Sequence, residues 1–141
     1  MAAPRHSVSV AAVITDDHDQ ALLIQRRDNH HWEPPGGILE LGESIEDGLR
    51  REVREETGLS VEPGNLTGVY KNMKRGIVAL VFRCTITAGQ LAANDEVTAF
   101  RWATERDIRD LLAEAYAVRI LDALHSDQNP AIRQHDGEHV L

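Results

Sequence analysis

Gly37-Ile38-Leu39-Glu40-Leu41-Gly42-Glu43-Ser44-Ile45-Glu46-Asp47-Gly48-Leu49-Arg50-Arg51-Glu52-Val53-Arg54-Glu55-Glu56-Thr57-Gly58-Leu59 is the stretch on which the fold turns. Its first residues are glycine-punctuated. From Ser44 to Thr57 the pattern becomes helical, with apolar Ile45, Leu49 and Val53 each four apart. Ser44 with Asp47 makes a capping box at the start, and Gly58 followed by Leu59 suits a left-handed stop with its hydrophobic contact. On such a helix Glu52, Glu55 and Glu56 stand at i, i+3 and i+4 and share an arc of about 100°. Like charges so placed cost the helix a few tenths of a kcal/mol per pair, roughly, unless a cation compensates. Relative to Ile45, Glu56 lies only about 20° away, so the acidic stripe borders the apolar face. Partial burial then makes the bare acids costly and a cation-loaded site favourable. Carboxylate oxygens suit Mg²⁺ or Mn²⁺, and no Cys/His cluster argues for zinc. Taken alone, the same three acids also read as a solvated, ion-paired helix face.

Working outward, Ser7 to Thr15 alternates apolar and small residues, Asp16 to Asp19 supply a turn, and Ala21 to Ile24 is apolar again, which reads as a hairpin. Trp32 to Gly37 is extended and rich in Pro and Gly. After the helix come strand-like segments at Asn65 to Lys71, Gly76 to Thr87 and Val97 to Ala103. Thr104 with Asp107 then opens a second helical region, expected as two short helices or as one broken near Ala115. The class is α+β, a mixed β-sheet sandwiched between α-helices. One domain is expected over residues 1–125, followed by a flexible C-terminal tail over 126–141 that is polar with scattered aliphatics. His30, His31, His125, His135 and His139 show no ligand spacing and read as solvated positions.

The chain has 141 residues, enough for one core and one functional unit. Its formal net charge of −8 repels a polyanion on average, so nucleic acid is not an expected partner. A small phosphate ester remains compatible, because a bound divalent ion reverses the local sign of the field. The lone Cys84 sits in the apolar run from Ile77 to Ile86 and reads as a small buried hydrophobe, consistent with a cytoplasmic home. Met1 to Arg5 does not resemble a leader, and no apolar run approaches the roughly 20 residues of a membrane span.

Read from Gly37, the order is Gly37, five residues, Glu43, seven residues, Arg51-Glu52-Val53-Arg54-Glu55-Glu56-Thr57-Gly58-Leu59. This resembles the Nudix box at every defined position, including the aliphatics Val53 and Leu59. The resemblance implies the Nudix fold and an enzyme that hydrolyses a pyrophosphate bond in a nucleoside diphosphate derivative by attack of water on phosphorus. A nucleoside triphosphate or a nucleotide-sugar such as ADP-ribose would be its substrate. It further implies metal ligation by Glu52, Glu55 and Glu56, with Glu43 as ligand or structural partner, and Arg51 orienting a box carboxylate. The general base would be Glu55 or, outside the box, Glu96 of Asn94-Asp95-Glu96. Arg26 and Arg27 resemble positions from which family members reach substrate phosphates, and a surface arginine is the plainer reading of each. The cofactor implied is Mg²⁺ or Mn²⁺, and a homodimer is common in the family. One departure stands at Pro34, where the family often has an aliphatic; Trp32 reads as scaffold. Proline or tyrosine marks that separate subgroups are missing from the window Lys74 to Ile77, and Tyr70 comes too early. The rival from another class is a Nudix-fold module that binds a nucleotide without cleaving it, which usually lacks box acids that are all present here.

Overall fold

The computed structural model describes residues 2–125 and 127–141; Met1 and Ser126, the first residues of the expected domain and of the expected tail, lie outside the described residues. Strands β1 (Ser7–Ile14), β2 (Ala21–Arg26), β3 (Trp32–Glu33) and β4 (Gly36–Ile38) precede helix α1 (Ile45–Thr57). Then follow β5 (Leu59–Asn72), β6 (Ile77–Gly89), β7 (Val97–Ala103), α2 (Glu105–Leu111), α3 (Glu114–Leu124) and β8 (Ala131–His135). A five-stranded mixed sheet has the order β4-β1-β6-β5-β8, and a three-stranded antiparallel sheet has the order β3-β2-β7.

The helices cover opposite faces because β1 is buried on both. Val10, Ala12 and Ile14 join Leu22, Leu49, Val53, Leu59, Val61 and Cys84 on the α1 side. Ala11 and Val13 join Leu23, Tyr70, Ala79, Val81, Ile108 and Ile120 on the side of α2 and α3. Two-sided burial favours a nearly continuous apolar strand, and β1 pairs parallel with β6 from Ser7↔Ile77 to Ile14↔Cys84. The expected hairpin is corrected here. A turn at Asp16 does reverse the chain, yet Thr15↔Ala21 is an isolated bridge, after which β1 runs between β4 and β6 while β2 enters the other sheet. Both edges of β1 are already taken, so β2 has no place beside it.

The end of the chain also differs from the expectation of a loose tail. β8 pairs parallel with β5, from Gly68↔Ala131 to Asn72↔His135. Arg133 grips Asp122 of α3 through Nε and Nη2, each at 2.7 Å, and Tyr70 donates its hydroxyl to the same carboxylate at 2.8 Å. Tyr70 is fully buried, so its hydroxyl requires such a partner. His135 is 1% exposed and not solvated: its Nδ1 accepts from the Gly137 N–H, and its Nε2 lies 3.1 Å from Arg119 Nη2. Burial, then the Arg119 charge, holds its pKa below the usual value. The second helical region breaks at Leu112 and Ala113, close to the expected point, and Thr104 with Asp107 forms the full capping box on α2.

Candidate functional site

Local rules place α1. Ser44 Oγ accepts from the Asp47 N–H at 3.2 Å, and Gly58 closes the helix at φ 82°, a left-handed conformation that any side chain would strain. Leu49 and Val53 are fully buried. Ile45 is not buried on that face as the periodicity implied; it is 43% exposed, at the first residue of the helix. Glu56 is further inside than the border position expected from the helical wheel, at 6% exposure.

Two groups of carboxylates result. Arg51 gathers the first: its guanidinium lies 2.7 Å from Glu43, 3.0 Å from Glu52 and 3.3 Å from Glu55. The Arg51 hydrogen bond holds Glu43 at a pKa of about 2. Burial raises the Glu52 carboxyl despite Arg51, with the charges of Glu55 and Glu96 adding to the shift. Gly37 lets this arrangement form, since a Cβ there would stand 2.5 Å from the Glu52 carboxyl carbon. Glu55 is exposed.

Glu56 belongs to the second group. Its Oε1 accepts from the Gly36 N–H at 2.7 Å. Burial pushes its pKa up to about 8; the Gly36 bond opposes this, and the charges of Glu33, Glu52 and Glu96 reinforce it. Glu96 reaches this neighbourhood because its loop is tied down. Asn94 Nδ2 donates to the Glu56 carbonyl at 2.8 Å, and the Ala92 N–H donates to the Thr57 carbonyl. Arg27 donates through its side chain to the Asp95 and Asn94 carbonyls and through its N–H to the Glu96 carbonyl. Arg26 pairs with Asp28 at 2.6 Å and with Glu33 at 3.2 Å. A cleft of about 500 Å³ is lined by Arg26, Arg27, Asp28, Glu56, Asp95 and Glu96.

Every sequence-selected residue thus lies on α1, on its approach, or in this cleft. Glu33 was missed as an acid of the site, although Trp32-Glu33-Pro34-Pro35-Gly36-Gly37 was singled out. Its only advance signal is a charged residue in a short strand leading into the box. Among the described residues, no three His, Cys, Asp or Glu side chains converge closely enough to hold an ion as they stand. The reason is visible: Arg51 draws Glu43, Glu52 and Glu55 toward itself while Glu56 turns to Gly36. The donor set nevertheless fits a hard divalent cation, being all carboxylate oxygens with one nearly buried acid among like charges. Among the described residues no helix is long and apolar enough to cross a membrane.

A model of the NUDIX domain matches residues 5–124. A "MutT-like protein" from Streptomyces ambofaciens is 51% identical over 138 residues, which is 98% of this chain and 89% of the relative. An "ADP-ribose pyrophosphatase" from Methanocaldococcus jannaschii is 35% identical over 97 residues, 64% of this chain and 57% of the relative. Among solved structures, a NUDIX hydrolase from Nitrosomonas europaea aligns at a TM-score of 0.77 and 28% identity, over 89% of this chain and 93% of the other. The crystal structure of an ADP-ribose pyrophosphatase from Streptococcus suis aligns at 0.80 and 23% identity, over 91% and 99%, and speaks for the fold.

Proposed function

Because this chain belongs to the Nudix family of hydrolases, acting on pyrophosphate bonds of nucleoside diphosphate derivatives with divalent ions, we propose a specific division of labour among its residues. Glu52, Glu55 and Glu56 hold the ion, and the oxygen-only donor set supports Mg²⁺ or Mn²⁺. Bound there, the ion neutralises phosphate oxygens and lowers the pKa of the attacking water. Arg51 is the positioning cation: it orients Glu52 and Glu55 and keeps Glu43 ionised as a structural partner with the option of ligation. Glu55, exposed at the ridge, or Glu96, in the cleft beside Glu56, accepts the proton from water. Arg26 reaches the substrate phosphates by exchanging its contacts with Asp28 and Glu33. Arg27, committed to three backbone carbonyls, contributes by holding the Glu96 loop rather than by free reach.

The observation that supports this reading is the burial of Glu56 amid the charges of Glu33, Glu52 and Glu96, a costly arrangement that a bound cation offsets. The substrate is a nucleoside triphosphate or a nucleotide-sugar of the ADP-ribose type, and the same proposal includes a cytoplasmic, homodimeric enzyme. Purified protein is to be incubated with Mg²⁺ or Mn²⁺ and a nucleotide panel, with products resolved by ion-exchange chromatography and mass by light scattering. Release of a nucleoside monophosphate that is lost in Glu56→Gln supports the assignment. No turnover of any nucleotide, with Glu55→Gln binding them as tightly as wild type, identifies a silent binding module instead.

A further inference from the structure

A second cleft, of about 390 Å³, opens on the other flank of α1, between the helix and the start of β5, and is lined by Arg50, Arg51, Arg54, Glu55, Ser60 and Val61. Its three guanidiniums are not equivalent. Arg50 is engaged by Asp47 at 3.0 Å and Glu62 at 2.9 Å, and Arg51 by the box acids described above. Among the described residues no carboxylate pairs with Arg54; its Nη2 donates to Ser60 Oγ at 2.9 Å. That hydroxyl can rotate and donate in turn to an incoming oxygen.

The two clefts share a divide. Glu56 and Glu96 line the first and Glu55 lines the second, so the acidic ridge runs between them. A pyrophosphate bond cut over that ridge has one part of its substrate on each side. We propose that the second cleft is a phosphoryl-binding subsite for the part that leaves, with Arg54 as principal donor, Ser60 as hydroxyl partner and Arg50 flanking. The proposal rests on the reading of the ridge as the place of cleavage. Guanidinium meets phosphate through charge-assisted, fork-shaped hydrogen bonds, and Arg54 is the guanidinium of this cleft that, among the described residues, has no carboxylate already occupying its fork. The acids around Arg50 and Arg51 repel an anion, so the subsite fills only when divalent ions sit on the ridge.

The experiment is calorimetric titration of inorganic pyrophosphate into the full chain, with and without Mg²⁺, for wild type, Arg54→Ala and Arg54→Lys, beside nucleotide turnover by wild type. Expected are Mg²⁺-dependent binding, a roughly tenfold weaker Kd in Arg54→Ala from loss of a charge-assisted bond, and partial recovery in Arg54→Lys. Arg54 is exposed, so unchanged thermal midpoints accompany these losses. Equal pyrophosphate affinity in Arg54→Ala, with wild type cleaving nucleotides, overturns the subsite and leaves the hydrolase reading standing. A wild type that cleaves nothing, with affinity still lost in Arg54→Ala, overturns the cleavage reading and retains the cleft as an anion site.

Discussion

Replacing Glu56 by Gln is expected to stabilise the cation-free protein while it removes activity, and the structure allows the size to be worked out. Gln keeps an acceptor for the Gly36 N–H and keeps the volume, but abolishes a charge at a position 6% exposed. The folded pKa of Glu56 is about 8 against an ordinary 4.5. A raised acid means that the folded state holds its proton where the unfolded state has released it, so stability falls as pH rises from about 4.5 and levels off above about 8. The gap of about 3.5, at about 1.4 kcal/mol each, bounds the loss at about 5 kcal/mol above pH 8. Relaxation of the buried side chain and water entry reduce this, and we expect about 2 kcal/mol at pH 7.5, a midpoint difference of roughly 5–10 °C for a domain of this size. Thermal melts followed by circular dichroism in chelator, from pH 5 to pH 8.5, provide the assay. The wild type should lose midpoint relative to the variant across that range, and saturating Mg²⁺ should narrow the difference by binding the folded wild type. Turnover by the variant should drop by orders of magnitude. Parallel pH profiles for the two proteins in chelator would refute the account of Glu56 as a buried, strained acid.

The remaining predictions concern backbone, tail and core. Gly37→Ala should lower turnover at least roughly tenfold with Glu52 displaced, because the new methyl lies within 3 Å of its carboxylate; steady-state kinetics with retained circular dichroism checks this. Truncation after His125 should destabilise strongly or prevent folding, since it removes β8 from the edge of β5, takes Arg133 away from Asp122 and takes the buried His135 away from Arg119; urea unfolding reads it, and an unchanged midpoint would count against a structural role for β8. Leu49→Ala should cost about 2–5 kcal/mol in the same unfolding assay, from a cavity at a fully buried site under α1.

Helix α1 could be read from the chain in nearly full detail because its determinants are local. The Ser44 cap, the Leu49 and Val53 spacing and the Gly58 stop each act within a turn or two of backbone. The acidic arc of Glu52, Glu55 and Glu56 follows from the same helical period. Cys84 in an apolar run and the capping box at Thr104 were legible for like reasons.

Other features depend on partners distant in the sequence. The two strands flanking Asp16 look like a hairpin, but which edge each strand finds is decided by β4, β6 and β7, whose positions no local pattern encodes. β8 is short, with Arg133, Gln134 and His135 polar in succession and no period-2 pattern to mark it, and becomes a strand because β5 offers a free edge and Asp122 a partner for Arg133. Arg51 was recognisable as a box residue, whereas its simultaneous grip on Glu43, Glu52 and Glu55 requires the approach loop to fold back. What the chain alone determined is the chemistry: a helix carrying its carboxylates on one side. What only tertiary structure decided is the electrostatic environment, because burial of Glu56, the proximity of Glu33 and Glu96, and the bond of Arg54 to Ser60 rather than, among the described residues, to a carboxylate arise from surfaces that meet only after folding.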